Sequence, residues 1–408
     1  MQKKISLPLA VILILLAVLV TFLATFTGLS QYDKARFTEV IESYRGSDEY
    51  LDKLKEVKSY FDTKYIGELD ENEISDYIVH GYVAGTGDKY AAYYNKEEYA
   101  EMMEDLNGEL EGIGVSVIYN ADEAAIEIIN VFPDSPAHDA GVQVGDLIKY
   151  VGDDYESVAA LGYNMAVSKV KGEAGTVARF IAYRGENYSE EINFEIVRAH
   201  VVEQVVTYRL HSTDSTVGII KISSFDTATV KQFNEAITAL RDMGAEKLVF
   251  DVRNNPGGEL NTICAILDTL LPEGPVIRAV DVSGTEQVLY RSDANELDMP
   301  MAVLVNSGTA SAAELFTSAL KDYEKATVVG TLTYGKGCMQ TFYPLSDGGA
   351  IKLTSAMYYP PFSDNYDGVG ITPDVEVELS ATAKAKNIYK LTDDEDDQLK
   401  AAVASFSK

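Results

Sequence analysis

Three short segments pair reactive side chains with glycines in ways that packing alone does not require. Asp251-Val252-Arg253-Asn254-Asn255-Pro256-Gly257-Gly258 follows an apolar run, and its adjacent glycines leave backbone N–H groups exposed, as an oxyanion hole requires. Asn306-Ser307-Gly308-Thr309-Ala310-Ser311-Ala312-Ala313-Glu314-Leu315 turns abruptly from strand-like to helix-like sequence. A hydroxyl at such a helix start sits beside free N–H donors and the positive end of the helix dipole. Thr333-Tyr334-Gly335-Lys336-Gly337-Cys338-Met339-Gln340 sets a lysine between glycines that let other backbone approach it closely. Together these residue types allow nucleophilic acyl transfer, in which a serine attacks a carbonyl, a base takes its proton and backbone donors hold the oxyanion.

A serine nucleophile needs a base, and the chain's four histidines, His80, His138, His200 and His211, fall in none of these segments. A Ser-His-Asp arrangement therefore finds no support, and a Ser-Lys pair is the alternative. Such a lysine must be desolvated, because burial disfavours the charged form and lowers its pKa toward neutrality. Lys336 qualifies if its turn encloses it. Lys321 competes but lies ten residues along the helix from Ser311, about 15 Å away at 1.5 Å per residue and out of reach. Ser307 and Ser311 lie four apart, and either could be a plain helix cap.

The surrounding sequence supplies elements to hold these segments. Val217–Ile222, Lys247–Asp251, Ala302–Val305 and Thr327–Gly330 are strand-like; Val230, Phe233, Ile237 and Leu240 mark the buried face of a helix, and a second helix runs from about Ala310 to Tyr323. An extended run covers Ile351 to Tyr359. Strand, helix, strand in this order predicts an α/β core with βαβ crossovers. Before it, the texture differs: Gly112-Ile113-Gly114-Val115 leads into a strand, followed by Ser135-Pro136-Ala137 at a short helix start and Ala140-Gly141-Val142-Gln143-Val144-Gly145-Asp146-Leu147-Ile148. A Gly-rich turn of this kind can hold a peptide's terminal carboxylate while the peptide adds to the sheet as a strand. These two motifs, in order over some 90 residues, resemble a PDZ domain.

Further upstream, residues 31–105 are polar and helical in pattern, with Leu51, Leu54, Val57 and Tyr60 on one stripe, for packing, for dimerisation or as a solvated spacer. At the start, Lys3 and Lys4 precede an uncharged stretch from Ile5 to Tyr32, long enough to span about 30 Å of hydrocarbon. It is expected to be an uncleaved signal anchor, with a cleaved signal peptide as the competing reading. The chain would then divide into 1–30 (cytoplasmic terminus and transmembrane anchor), 31–105 (helical), 106–200 (PDZ-like), 201–380 (α/β core) and 381–408 (C-terminal helical). Of 408 residues, 34 are Lys or Arg and 64 Asp or Glu, a net charge of −30. That balance argues against nucleic-acid partners, which need a basic footprint. Cys264 and Cys338 cannot build a disulfide framework or a structural zinc site, and the run Asp393-Asp394-Glu395-Asp396-Asp397 is expected to be a solvated helix start.

The order of PDZ-like module, DVRNNPGG, VNSGTASAAEL, TYGKGCMQ and GVGITPDV resembles the C-terminal processing peptidases, or tail-specific proteases, over nearly the whole chain after the anchor. The resemblance implies a crotonase/ClpP-like α/β core and an ATP-independent, cofactor-free and metal-free serine endopeptidase. In it Ser311 would be the nucleophile, Lys336 the general base and Gln340 the residue that orients the lysine. Backbone N–H groups of Gly257 and Ala312 would form the oxyanion hole, with Asp322 in a supporting role. Gly112, Ile113, Gly114 and Val115 would bind substrate tails, and Lys171 would be a regulatory position. Partners would be proteins with apolar C-termini and a second copy of the chain, and the catalytic part would lie outside the cytoplasm on a single-pass anchor. An adaptor that binds tails without cutting them, and an acyl-transfer enzyme acting on small substrates, are the competing readings. The sequence departs from the family pattern at Cys338, at Thr309 and in the stretch before Gly368.

Overall fold

The computed structural model of the chain describes residues 49–106 and 109–407. The expected membrane anchor lies outside them; among the described residues no helix is long and apolar enough to cross a membrane. The chain divides into two compact units at Ile74/Ser75. In the first, helix Glu49–Lys64 carries the expected stripe, yet it buries none of its residues, and Leu51, Val57 and Tyr60 are exposed.

Within the second unit, residues 109–202 form a β-rich module with its own core of Ile113, Ile126, Ile128, Ile148, Phe180 and Phe194, among others. Its main sheet runs in the order Val115–Asn120, Ala125–Val131, Leu147–Val151, Val177–Arg184, Glu190–Val197, so Val115–Asn120 is an edge strand. Helix Tyr163–Val170 belongs to the same core through Ala166 and Val170. Ser135 caps the short helix Pro136–Asp139 by accepting the His138 N–H at 3.2 Å.

The α/β core is built on a six-stranded sheet in the order Val206–Leu210, Val217–Ile222, Lys247–Asp251, Met301–Val305, Ala326–Gly330, Val375–Glu376. The first pairing is antiparallel and the other four are parallel. These strands are Val/Ile-rich because both faces are covered. Helices Thr229–Asp242, Leu260–Leu270 and Ala312–Asp322 bury one face, and helix Asp397–Ser405 covers the other through Leu399 and Ala402. Phe316 sits 5.7 Å from Phe225 and 5.6 Å from Phe250, ring centre to ring centre, and Phe250 is 5.8 Å from Phe233. These edge-to-face and offset contacts fix the Ala312–Asp322 helix on the sheet. A second sheet carries strand Cys338–Pro344 hydrogen-bonded to Ala350–Tyr359, which also pairs with Ala92–Tyr94 and Gly274–Asp281.

The acidic run near the C-terminus departs from expectation. It does begin a helix, with Asp396 as N-cap accepting from Gln398 N and Leu399 N, but Asp393 and Asp396 are buried rather than solvated. Asp396 pairs with Arg253 at 2.7 Å, and the same guanidinium reaches Asp251 at 2.7 Å. Burial works to raise the Asp251 carboxyl, and the Arg253 charge overrides it, holding it below the usual range. Asp393 is pushed down to about 2: burial opposes ionisation, but Arg209 and the Ser212 N–H prevail. A solvated run was the natural expectation because nothing local announces cationic partners over 140 residues away.

The network pins the DVRNNPGG turn from behind. Arg253→Ala leaves two buried carboxylates without their cation and is expected to destabilise the fold by about 3–5 kcal/mol, read as a lowered unfolding midpoint in denaturant.

Candidate active site

The strand Met301–Val305 ends at Asn306, and the chain makes a tight turn held by Thr309, whose hydroxyl donates to Val252 O at 2.8 Å. Asn306 Nδ2 donates to Asn254 Oδ1 at 2.8 Å, and Ala310 N–H donates to Asn255 O at 2.9 Å, so the serine turn and the DVRNNPGG turn are stitched together. Ser311 emerges at the N-terminus of helix Ala312–Asp322 with φ 56° and ψ −119°. A non-glycine residue reaches this region only under strain, on the order of 1–3 kcal/mol.

Glu314, one turn into the helix and fully buried, organises what surrounds Ser311. Its Oε2 accepts the Ser311 N–H at 2.9 Å and the Lys336 N–H at 2.8 Å. Its Oε1 accepts the Gly335 N–H and the Thr333 hydroxyl, each at 2.6 Å. One carboxylate thus gathers the backbone of Ser311 and Lys336, 25 positions apart in sequence, around itself. Charge-assisted bonds of this kind are roughly twice as strong as neutral ones.

Lys336 is half-buried, and its pKa is lowered chiefly by desolvation, as a lysine base needs. The flanking glycines do what their position implied. A Cβ at Gly335 would lie 2.9 Å from Gly370 N, and one at Gly337 would lie 2.7 Å from Asp367 N. The Gly337 N–H donates to Asp367 Oδ1 at 2.9 Å. The lysine side chain does not reach the serine: its Nζ lies 4.6 Å from the Tyr90 ring centroid, and among the described residues no hydrogen bond joins it to Ser311.

The remaining positions divide. Gly257, at φ 109°, packs so closely under the serine that a Cβ there would lie 2.8 Å from Ser311 Cβ and 2.9 Å from Ala312 N. Its N–H, however, donates to Asn255 Oδ1 at 2.8 Å, so it sits where an oxyanion donor belongs but is engaged within its own turn. Ala312 is the first residue of the helix, where N–H groups lack an intrahelical partner. Gln340 Nε2 lies 3.3 Å from Cys338 Sγ and 3.4 Å from Cys338 O and Thr354 Oγ1, turned to these groups rather than to Lys336. Asp322 is at the far end of the helix, where it accepts the N–H groups of Phe362 and Ser363 at 2.7 and 2.8 Å and the Ser363 hydroxyl at 2.7 Å. Its support is for that loop. Lys321 pairs with Asp374 at 2.8 Å and is not part of the site. Both cysteines are free and buried.

In the β-rich module, Gly112, Ile113, Gly114, Val115 and Lys171 do come together. They line a largely apolar groove with Val167 and Val170 of helix Tyr163–Val170. No group of His, Cys, Asp and Glu among the described residues could hold a metal ion.

Two residues at the site went unremarked in sequence. Glu314 carried a signal, since Ser311-Ala312-Ala313-Glu314 is the spacing of a helix capping box. Tyr90 carried none, because it arrives from a turn far away in sequence.

A serine at a strained helix start, its backbone held on the same carboxylate as that of a desolvated lysine, is an arrangement compatible with a serine hydrolase. Residues 216–377 match the model of peptidase family S41. The chain is 30% identical over 339 residues to the carboxy-terminal-processing protease of Bartonella bacilliformis, covering 81% of this chain and 75% of that one. It is 31% identical over 353 residues to a CtpA-like serine protease of Staphylococcus saprophyticus, covering 85% and 70%. Its fold is similar to the photosystem II D1 C-terminal processing protease (TM-score 0.50, 24% identity, 84% of this chain and 91% of that one). It is also similar to an S41 protease of Bacteroides fragilis (TM-score 0.56, 18% identity, 85% and 94%). The chain belongs to peptidase family S41, among the carboxy-terminal-processing serine proteases.

The strain at Ser311 is testable apart from the chemistry. Ser311→Gly and Ser311→Ala both lack the hydroxyl, but only glycine adopts this backbone without strain. Ser311→Gly is expected to be the more stable of the two by about 1 kcal/mol, measured by thermal unfolding of both variants.

Proposed function

We propose that the protein is a membrane-anchored, extracytoplasmic serine endopeptidase that cuts proteins near their C-termini through a Ser311–Lys336 dyad. The observation that carries this reading is the Glu314 carboxylate, which holds the backbone of Ser311 and Lys336 on a single oxygen. With its side chain turned to the serine, neutral Lys336 takes the Ser311 proton as Oγ attacks the scissile carbonyl. Ala312 N–H, and Gly257 N–H once released from Asn255, stabilise the oxyanion. The Lys336 ammonium then protonates the leaving amine, giving an acyl-enzyme. Neutral again, Lys336 takes a proton from a water that attacks the acyl carbonyl and gives it to Ser311 Oγ as the ester bond breaks, releasing the acyl group as a carboxylic acid. Gln340 would orient the lysine amine after leaving Cys338.

The 106–200 module acts in this reading as a PDZ domain. Its groove beside an edge strand supports capture of a substrate's apolar tail by strand addition, with Lys171 at the rim as the regulatory position. The uncharged Ile5–Tyr32 stretch supports the anchor. The exposed apolar side chains of helix Glu49–Lys64 support assembly as a homodimer.

The test is cleavage of an unfolded protein ending in apolar residues. Wild type is expected to cut it, while Ser311→Ala and Lys336→Ala lose at least about 10³-fold in kcat/KM; cleavage by either variant at the wild-type rate overturns the dyad. Because the base works only when neutral and burial lowers its pKa, activity should rise with pH through a limb below the ordinary lysine range. A substrate whose last residue is changed to aspartate should show a raised KM with little change in kcat, which a groove without a role would not produce.

A further inference from the structure

Lys336 occupies a defined seat, and that seat is built by a residue from outside the peptidase core. The turn Asp88–Ala91 precedes strand Ala92–Tyr94, which pairs antiparallel with the start of strand Ala350–Tyr359. Asp88 fastens this turn: its Oδ1 accepts the Tyr90 N–H at 2.9 Å and its Oδ2 accepts the Thr354 N–H at 2.9 Å. Tyr90 is thereby laid against the base, with Lys336 Nζ 4.6 Å from its ring centroid, inside the roughly 6 Å reach of a cation–π contact. The Tyr90 hydroxyl is buried, with Lys89 as the polar group that approaches it.

Most charged and titratable groups that face Lys336 are engaged elsewhere, and among the described residues Lys89 alone shares the Tyr90 ring with it. Glu314 is committed to four donors. Asp367 accepts from Gly337 N, and Lys352 donates to the Tyr94 hydroxyl at 3.0 Å. Cys338 lies beside Gln340 with its thiol pushed up by burial. Lys89 approaches the Tyr90 ring at 4.7 Å and is a second cation on the same aromatic group.

We propose that Tyr90 is a positioning residue for the proposed base, its ring seating the Lys336 ammonium in a parked state away from Ser311. The inference rests on the reading of Lys336 as the base. A ring face stabilises the ammonium and not the neutral amine. The seat therefore opposes the effect of burial, favours the protonated lysine and must be left before the amine can accept the Ser311 proton. Because the Asp88–Ala91 turn continues from helix Glu71–Gly85, any movement of that turn against strand Ala350–Tyr359 acts directly on the base.

The test holds shape constant and varies only the ring's electrostatics. In the full-length protein, Tyr90→Phe and Tyr90→3,4,5-trifluorophenylalanine are compared with wild type in kcat/KM against pH, using fluorescently labelled casein, with Lys336→Ala as control. Fluorination removes the negative face of the ring, so the rising limb should move to lower pH by about half a unit or more, while Tyr90→Phe leaves it in place. Tyr90→Leu, which keeps an apolar wall without a π face, should move the limb in the same direction. A limb that stays put in the fluorinated variant, or moves up, overturns the seat while leaving the dyad intact, provided Lys336→Ala is inactive. Cleavage by Lys336→Ala at the wild-type rate overturns the base and the seat together.

Discussion

The buried carboxylate of Glu314 is the constraint on which the site depends. A charge out of water is costly unless its hydrogen-bonding capacity is met, and here four donors meet it: two backbone N–H groups of the lysine turn, the Thr333 hydroxyl and the N–H of Ser311. The same requirement therefore closes the lysine turn onto the serine helix. Were either turn to shift, an ionised group would lose its partners in the interior, so the two loops are held as one body. This fixes the backbone of both residues and leaves their side chains free to change partner, which suits a site whose lysine faces Tyr90 and whose Gly257 N–H faces Asn255.

A second buried ionic network supports the first from the opposite face of the sheet. Asp251 at a strand end, Arg253 two residues on and Asp396 at the C-terminal helix cap share one guanidinium. Gln398 also accepts from that guanidinium at 3.0 Å. The C-terminal helix is thereby locked to the turn that carries Gly257. On the other face Phe225 and Phe250 pack against Phe316, so the helix that presents Ser311 is fixed by aromatic packing beneath and by Glu314 at its tip. The strained backbone at Ser311 persists because both supports over-determine it.

How much of this was legible differs by residue. The strands were readable because a parallel sheet covered on both faces writes itself as uninterrupted Val/Ile/Leu runs. Helix Thr229–Asp242 was readable from its 3.6-residue periodicity. Gly335 and Gly337 were readable as sites of close backbone approach, though not what approaches them. Glu314 was half-legible, as a capping box whose carboxylate also serves a turn 19 to 22 residues away. The acidic run was misjudged in part because a buried and a solvated carboxylate look alike in sequence, and only the distant arginines separate them.

By itself the sequence determined which chemistry was possible: a serine at a helix start, a lysine between glycines and no histidine near either. Those are local properties, carried by residue type and spacing. The tertiary structure alone decided the states of these groups. Whether Lys336 is desolvated, what Gln340 and Gly257 bond to, and that Tyr90 reaches Lys336 from a turn 246 positions upstream all depend on partners brought together by folding. Burial and hydrogen-bond geometry are properties of neighbours in space, and neighbours in space are not written in neighbours along the chain.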